Sequence, residues 1–214
     1  MHILYSQTIL LSSINLFSIL MAMQSPSSSS SISYGFTYQV FLNFRGSDTR
    51  DGFTGHLYKA LTDKGIHTFI DDCDLKRGDE ITPSLIKAIE ESRIFIPVFS
   101  INYASSSFCL DELVHIIKCY KTKGRLVLPI FYGVDPTHIR HQTGSYGEHL
   151  TKHEQSFQNN NKNMERMHQW KMALTNAANL SGYHYSPGFS PLYLIPVCHF
   201  SFYLFNFYSS IKPS

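Results

Sequence analysis

The sequence predicts an α/β fold in which helices cover a parallel β-sheet. Short apolar runs alternate with amphipathic segments along its middle part, and this alternation is typical of consecutive βαβ units. The chain is 43% hydrophobic and contains 16 Phe and 13 Tyr, which is enough apolar material for the core of one domain. Because the two ends differ from the middle in composition, we expect a domain over residues 36–186, an extension over residues 1–35 and a tail over residues 187–214.

The first predicted unit is a strand over residues 38–44 followed by a helix over residues 53–64. Apolar residues recur on one face of that helix at three- and four-residue spacing. Gly65 follows directly and is expected to end the helix. Residues 45–50 are expected to form a turn at the carboxyl end of the strand.

The second predicted unit is a short strand over residues 67–71, followed by a charged loop over residues 72–80. Thr82 then stands where a helix N-cap is expected, and Pro83 follows at the first helical position. This combination indicates a helix start because the Thr side chain accepts a backbone N–H, whereas Pro lacks one. The helix is expected to end near Ser92.

The third unit begins with an apolar strand over residues 93–100. The next helix repeats apolar residues at i, i+3, i+4 and i+7 from Leu110, a pattern typical of a core-facing stripe. Residues 125–132 form a fourth apolar run, and residues 164–180 form a last long helix around Trp170. Strands and helices therefore alternate to the end of the domain.

A flavodoxin-like strand order, 2-1-3-4-5, places the change of winding direction between the first and third strands. Ligands of such sheets bind beside the carboxyl ends of the strands at that point. The first strand brings Arg45 and Gly46 there, and the connection after the third strand brings Phe108, Cys109 and Glu112. A cation, a backbone turn and an acid are therefore predicted to meet in one cleft.

Two adjacent carboxylates, Asp111 and Glu112, begin the helix after the third strand. Helical geometry places Glu112 between Cys109 and Ile116, whose side chains are expected to limit its hydration. Asp111 is expected to point to solvent or to a helix cap. A functional role for Glu112 and a simple interaction with the helix dipole both remain open on these grounds.

Composition excludes several classes of function. The net charge is +2 with no basic stripe, so nucleic-acid binding is not expected. Four cysteines without a C-x-x-C pair predict no metal site and favour a reducing cytoplasm.

Residues 3–20 are apolar but lack a basic start, which leaves a signal peptide or translation from Met21 or Met23 as alternatives.

The tail is aromatic and apolar over residues 189–211, but Pro191 and Pro196 interrupt it. A membrane span is therefore not expected. We interpret the tail as the altered end of a truncated chain, and one possible role is to cover an exposed sheet edge.

Six motifs occur in order: VFLNFRGSDTR at residues 40–50, IDD at 70–72 with LKRGDEI at 75–81, CLDEL at 109–113, LPIFYGVDP at 128–136, QTGSYG at 142–147 and WKMALT at 170–175. Together they resemble the TIR (Toll/interleukin-1 receptor-like) domain of plant TIR-NBS-LRR immune receptors. The resemblance implies a five-stranded flavodoxin-like sheet, here with the final helix missing or replaced. It also implies self-association and, in many members, cleavage of NAD+ to nicotinamide and ADP-ribose-type products.

The resemblance also implies roles for single residues. The family's catalytic glutamate corresponds to Glu112, and its pairing surfaces correspond to His56 and Gly182. Its NAD-contacting loop corresponds to residues 45–50, and the glycine of the loop after the second strand to Gly78. With the two cleft residues added, the expected substrate-contacting set is Arg45, Gly46, Ser47, Asp48, Thr49, Arg50, Gly78, Phe108 and Cys109.

Simpler interpretations remain for several of these residues. Arg45 and Arg50 fit either the pyrophosphate of NAD+ or a surface ion pair. Cys109 fits a small buried thiol better than a nucleophile, because the sequence gives it no base. His56 fits a solvated position as well as a pairing surface.

Two functional hypotheses follow from the resemblance. In the first, the chain is a cytoplasmic NAD+ hydrolase of plant innate immune signalling, activated by self-association, with no bound cofactor. One carboxylate would suffice, since nicotinamide departs as a neutral molecule and needs no proton. In the second, the chain is a non-enzymatic adaptor or decoy that pairs with full-length TIR-containing immune receptors.

Overall fold

The computed structural model describes residues 36–70, 82–157 and 161–186. Its strands are β1 (Tyr38–Phe44), β2 (Thr68–Ile70), β3 (Ser92–Phe99), β4 (Leu126–Val127), β5 (Ile130–Tyr132) and β6 (Tyr183–Tyr185). They form one sheet in the order β2-β1-β3-β5-β6, with β4 beside β3. Every pairing among these strands is parallel. The predicted parallel α/β architecture is therefore confirmed.

The predicted order 2-1-3-4-5 is also confirmed, with the fourth strand divided into β4 and β5. Both pieces pair with β3, through Phe95 opposite Val127 and Val98 opposite Ile130. The break falls at Pro129, which has no N–H to donate to the ladder. The edge strand β6 was not located by the sequence pattern, because three residues are too few to show alternation.

Seven helices surround the sheet in the described ranges. Two of them, between β5 and the last long helix, were not predicted from the sequence. A 3-10 turn spans Tyr103–Ser105. The helices are α1 (Gly46–Thr49), α2 (Gly55–Thr62), α3 (Pro83–Glu90), α4 (Ser107–Lys123), α5 (Pro136–His141), α6 (Ser145–Ser156) and α7 (Asn161–Ala178).

The segment after β1 differs from the prediction. Residues 45–50 were predicted as a turn, but α1 begins at Gly46, and a wide helical turn over Arg50–Thr54 joins it to α2. The chain kinks at Gly52, where φ is −130° and ψ is −112°. The prediction was wrong because Gly, Ser and Asp, which favour turns, are also favoured where helices begin.

The predicted helix boundaries at Gly65 and Thr82 are confirmed. Gly65 has a left-handed φ of +74°, and its N–H donates to the carbonyl of Thr62 at 2.8 Å. This conformation is free of steric cost only for glycine. Thr82 accepts a hydrogen bond from the N–H of Leu85 at 3.3 Å, and Pro83 is the first residue of α3.

Helix α4 packs into two separate clusters of buried side chains. Leu110, Leu113 and Ile117 join a cluster shared with α6 and α7. Ile116 and Cys119 join a second cluster that includes side chains of α3. Because α4 is held from two sides, its rotation about its own axis is fixed, and this sets the direction of its remaining side chains.

In the ranges that the structure describes, no helix is both long and apolar enough to cross a bilayer. The predictions for residues 1–35, for the loop over residues 71–81 with Gly78, and for the tail over residues 187–214 lie outside the described residues.

Candidate functional site

Glu112 is a buried acid at the carboxyl-terminal edge of the sheet. Helix α4 starts just after the 3-10 turn that follows β3, and Ser106 caps it by accepting the N–H of Cys109 at 3.3 Å. Glu112 lies in the second turn and is only 3% exposed. An ionised side chain at this depth requires hydrogen-bond partners.

Asn43, the next-to-last residue of β1, supplies such a partner. Its side-chain Nδ2 donates to Glu112 Oε2 at 2.5 Å and to the carbonyl oxygen of Cys109 at 3.3 Å. Asn43 is itself 0% exposed. Because β1 is an inner strand of the sheet, Asn43 ties the carboxylate to a rigid part of the fold.

One buried phenol, Tyr103, lies beside this pair, and a second, Tyr146, interacts electrostatically with Tyr103. The Tyr103 hydroxyl is 2.5 Å from Asn43 Oδ1 and 3.0 Å from the carbonyl oxygen of Cys109. Tyr146 donates its hydroxyl to the carbonyl of Ser100 at 2.8 Å. Burial raises the pKa of both phenols well above the ordinary value. Both therefore remain protonated donors at neutral pH.

Cys109 behaves as a structural thiol. It is 4% exposed, and its Sγ donates to the carbonyl oxygen of Phe44 at 3.3 Å. Burial raises the pKa of this thiol, and the nearby negative charge of Glu112 raises it further. Since the thiolate is the nucleophilic form, the geometry favours the interpretation as a small buried thiol.

The residues after β1 form a polar connection to the loop after β3. The Arg45 guanidinium contacts the carboxylate of Asp48 and the hydroxyl of Ser47. Asp48 accepts a hydrogen bond from the Ser100 hydroxyl at 2.5 Å and one from the Asn102 N–H at 3.3 Å. Asp48 thus has a structural role inside the domain, while the side chain of Arg45 stays 28% exposed.

The other predicted residues of this segment differ in their surroundings. Gly46 is the first residue of α1. Thr49 is buried and accepts a hydrogen bond from the Thr54 hydroxyl at 2.7 Å. The guanidinium of Arg50 lies 5.1 Å from the centre of the Phe44 ring, within the range of a cation–π contact.

Phe53, which lies in the same segment, contacts the last residues of two other strands. Its ring centre lies 5.4 Å from that of Tyr132 and 4.8 Å from that of Tyr185. The two tyrosine rings are stacked on each other at 5.2 Å. Because Tyr132 ends β5 and Tyr185 ends β6, residues 45–54 extend from β1 past the carboxyl ends of the neighbouring strands.

The prediction for Asp111 was wrong. Asp111 does not point to solvent or to a cap, since its side chain is 13% exposed. It accepts hydrogen bonds from Arg166 Nε at 2.9 Å and from Trp170 Nε1 at 2.7 Å, and a second Arg166 nitrogen contacts its other oxygen. Asp111 therefore joins α4 to α7, a contact that local spacing cannot reveal.

Three more predicted residues have defined surroundings. Phe108 is half-buried and packs against the second core cluster. His56 is exposed on α2. A Cβ atom at Gly182 would lie 2.6 Å from the Pro129 carbonyl oxygen and 2.7 Å from the Phe131 ring. Packing within the domain thus requires glycine at this position, whether or not it also contacts a partner.

Asn43 and Tyr103 were not identified from the sequence as site residues. Asn43 gave a signal, because it is the one polar residue in the apolar run over residues 40–44. Tyr103 gave none, since it lies in a connection whose shape depends on the fold. Among the described residues, no group of three or more His, Cys, Asp or Glu side chains could hold a metal ion.

Comparisons with known proteins give a consistent result. A sequence profile described as the TIR domain matches residues 37–188. Disease resistance protein RPV1 of Vitis rotundifolia is 54% identical over 160 residues, which cover 75% of this chain and 11% of that protein. TMV resistance protein N of Nicotiana glutinosa is 49% identical over 154 residues, which cover 72% of this chain and 13% of that protein.

A solved structure agrees with the sequence relatives. The TIR domains of the activated Roq1 resistosome, which directly recognizes the pathogen effector XopQ, are 49% identical to this chain with a TM-score of 0.60. The match covers 69% of this chain and 87% of that chain. The chain spans only 11% and 13% of the length of the two resistance proteins. Over the matched region, it belongs to the TIR domain family, in the form found in plant disease resistance proteins.

Proposed function

We propose that this TIR domain hydrolyses NAD+ at the bond between nicotinamide and ribose, with Glu112 as the catalytic residue. The observation that supports this most is the burial of Glu112, which is 3% exposed and hydrogen bonded by Asn43 at the end of β1. A carboxylate is costly to bury, and this one lies where parallel sheets bind ligands.

One carboxylate is sufficient for this reaction. The nicotinamide ring of NAD+ is a cationic pyridinium, so it takes the electrons of the breaking C–N bond and leaves as a neutral molecule. Glycosidases need a second carboxyl group to protonate their leaving oxygen. Here Glu112 would orient the ribose hydroxyls and stabilise the positive charge on the ribose until water adds and loses a proton.

The groups around Glu112 are compatible with this role. The thiol of Cys109 and the phenol of Tyr103 are held in their neutral forms by burial, so neither competes as a nucleophile. Arg45 is the cation proposed to contact the pyrophosphate. Its partner Asp48 is anchored to Ser100 and leaves the guanidinium partly exposed.

Release of nicotinamide from NAD+ by the purified full chain tests this proposal. The assay would compare the parent chain with Glu112→Gln, which keeps the shape of the side chain but removes its charge. Asp111→Asn, one residue away and facing α7, serves as the matched control. We expect Glu112→Gln to abolish release and Asp111→Asn to retain it. Equal release from the parent and Glu112→Gln would refute the catalytic role.

Self-association is proposed as the means of activation. The similar TIR domains of Roq1 belong to a resistosome, which is an assembly. His56 is exposed on α2 and available to a neighbour. Homotypic pairing, or pairing with other TIR-containing receptors, would make nicotinamide release rise faster than protein concentration. His56→Ala should reduce this effect, whereas Lys121→Ala on α4 should not. A strictly linear dependence in the parent would contradict activation by assembly.

The same burial favours a second candidate function. Because Glu112 is 3% exposed, the domain must rearrange before a ribose can reach the carboxylate. A domain that does not make this change would act only as a pairing module for full-length immune receptors. Absence of nicotinamide release at every protein concentration and under crowding, with pairing retained, would establish this alternative over the enzyme.

We further propose a cytoplasmic location. Cys109 and Cys119, the two cysteines in the described ranges, both carry free thiols, as expected for a reducing compartment. Fractionation of plant cells that express the tagged chain would test this, and recovery with secreted proteins would refute it.

A further inference from the structure

We infer that Asn43 is a positioning residue for Glu112, which holds its carboxylate in one orientation and favours its ionised form. The catalytic consequence of this inference rests on the proposed NAD+ hydrolysis, but the effect on the carboxylate itself does not.

The orientation of the Asn43 amide follows from its neighbours. Nδ2 lies 2.5 Å from the carboxylate of Glu112 and 3.3 Å from the carbonyl oxygen of Cys109. Both of these groups only accept hydrogen bonds. A reversed amide would place its oxygen against both of these acceptors. Nδ2 therefore faces them, and Oδ1 faces the hydroxyl of Tyr103, which has a proton to donate at 2.5 Å.

Every polar atom of the Asn43 side chain is then in use. Both protons of Nδ2 are donated, and Oδ1 accepts from Tyr103. The side chain is 0% exposed, and Asn43 lies opposite Pro97 in the pairing of β1 with β3. It cannot rotate without breaking buried hydrogen bonds. Oε2 of Glu112 is thus attached to the sheet as well as to its own helix.

A hydrogen bond donated to a carboxylate favours its charged form. Three ionisable groups of this site carry no charge. Cys109 on α4, Tyr103 on the 3-10 turn and Tyr146 on α6 are all kept neutral, since burial raises the pKa of each. Asp111, the adjacent acid, is turned toward α7.

The charged pair that follows β1 also contributes little net charge. Arg45 and Asp48, which both act electrostatically on Cys109, are bound to each other. Their opposite charges therefore largely cancel in their effect on neighbouring groups. Donation by Asn43 is therefore a contact by which the fold favours the ionised form of Glu112.

The test measures the titration of the Glu112 side-chain carboxyl by carbon NMR in the full chain. Asn43→Leu removes both amide protons at similar volume, and it is expected to raise the midpoint by about one to two pH units. Tyr103→Phe removes only the hydroxyl that donates to Asn43 Oδ1, and it is expected to raise the midpoint by a smaller amount. The matched control is Ser92→Ala, which loses a buried hydrogen bond to Ala88 at the opposite end of the sheet and is expected to leave the midpoint unchanged.

The pH below which nicotinamide release falls should shift by the same amount as the NMR midpoint. If the parent chain releases no nicotinamide but Asn43→Leu still shifts the midpoint, the proposed function fails and the positioning role stands. If Asn43→Leu does not fold, Asn43→Ser, which is too short to reach Oε2, replaces it. An unchanged midpoint in a folded Asn43 variant would overturn the inference, as would a shift of equal size in Ser92→Ala.

Discussion

Asp111→Ala should destabilise the domain strongly, although Asp111 is not a proposed catalytic residue. Asp111 accepts hydrogen bonds from Arg166 and from the indole N–H of Trp170, at 2.9 Å and 2.7 Å. These contacts join α4 to α7. Trp170 is 0% exposed, so the alanine variant would leave its indole N–H buried without this acceptor.

The size of the effect can be worked out from these contacts. A hydrogen bond to a charged group contributes about 1.5–3 kcal/mol, and a buried donor left unsatisfied costs about 1–3 kcal/mol. The side chains of Asp111 and Arg166 are 13% and 23% exposed, and solvent reduces the contribution of the ion pair. We therefore expect a loss of about 2–4 kcal/mol for Asp111→Ala. Asp111→Asn should lose about half as much, because its amide oxygen can still accept from Trp170.

Urea unfolding at equilibrium, followed by tryptophan fluorescence, measures this loss directly, since Trp170 is the single tryptophan of the chain. For a chain of this size, the melting temperature should fall by about 5–15 °C in Asp111→Ala. Asp111→Asn provides the matched comparison. A loss below about 0.5 kcal/mol in Asp111→Ala, the range of ordinary surface substitutions, would show that the contact with α7 is not a stabilising one.

Three further predictions concern stability. Gly182→Ala should cost about 1–3 kcal/mol, measured by urea unfolding, because its Cβ would lie 2.6 Å from the Pro129 carbonyl oxygen; an unchanged midpoint would contradict this. Thr82→Ala should cost about 1 kcal/mol through loss of the α3 cap, whereas Thr82→Ser should cost much less. Burial lowers the pKa of His153 from 6.5, so the unfolded chain binds this proton more readily and stability should fall as the pH drops below 6.5. His153→Gln should lessen that fall in thermal unfolding at pH 5–7, and an equal fall would contradict the assignment.

The parts of the fold that local chemistry controls were predictable from the sequence. The apolar stripe from Leu110 fixes the rotation of α4, and this was enough to predict that Cys109 and Ile116 limit the hydration of Glu112, although not that it is only 3% exposed. Thr82 and Pro83 gave the start of α3 because a cap involves only neighbouring residues. The strand order followed from the alternation of strands and helices together with the resemblance to a known family.

The parts that depend on distant contacts were not predictable. In the sequence, Asp111 resembles a solvent-facing acid, because its partners Arg166 and Trp170 lie far along the chain. In the sequence, Asn43 only interrupts an apolar run, because its partner Glu112 belongs to the distant helix α4. In both cases these hydrogen bonds reach a different element, so the periodicity of the element itself does not record them.

The aromatic contact of Phe53 with Tyr132 and Tyr185 has a consequence for the order of folding. The stretch that carries Arg45 is synthesised early, yet its far end packs against the strand synthesised last among those described. During translation this stretch must wait for β6 before it reaches its final position. A ribosome-bound chain that stops short of Tyr185 would therefore hold this stretch through Asp48 and Tyr132, but without its contact to β6.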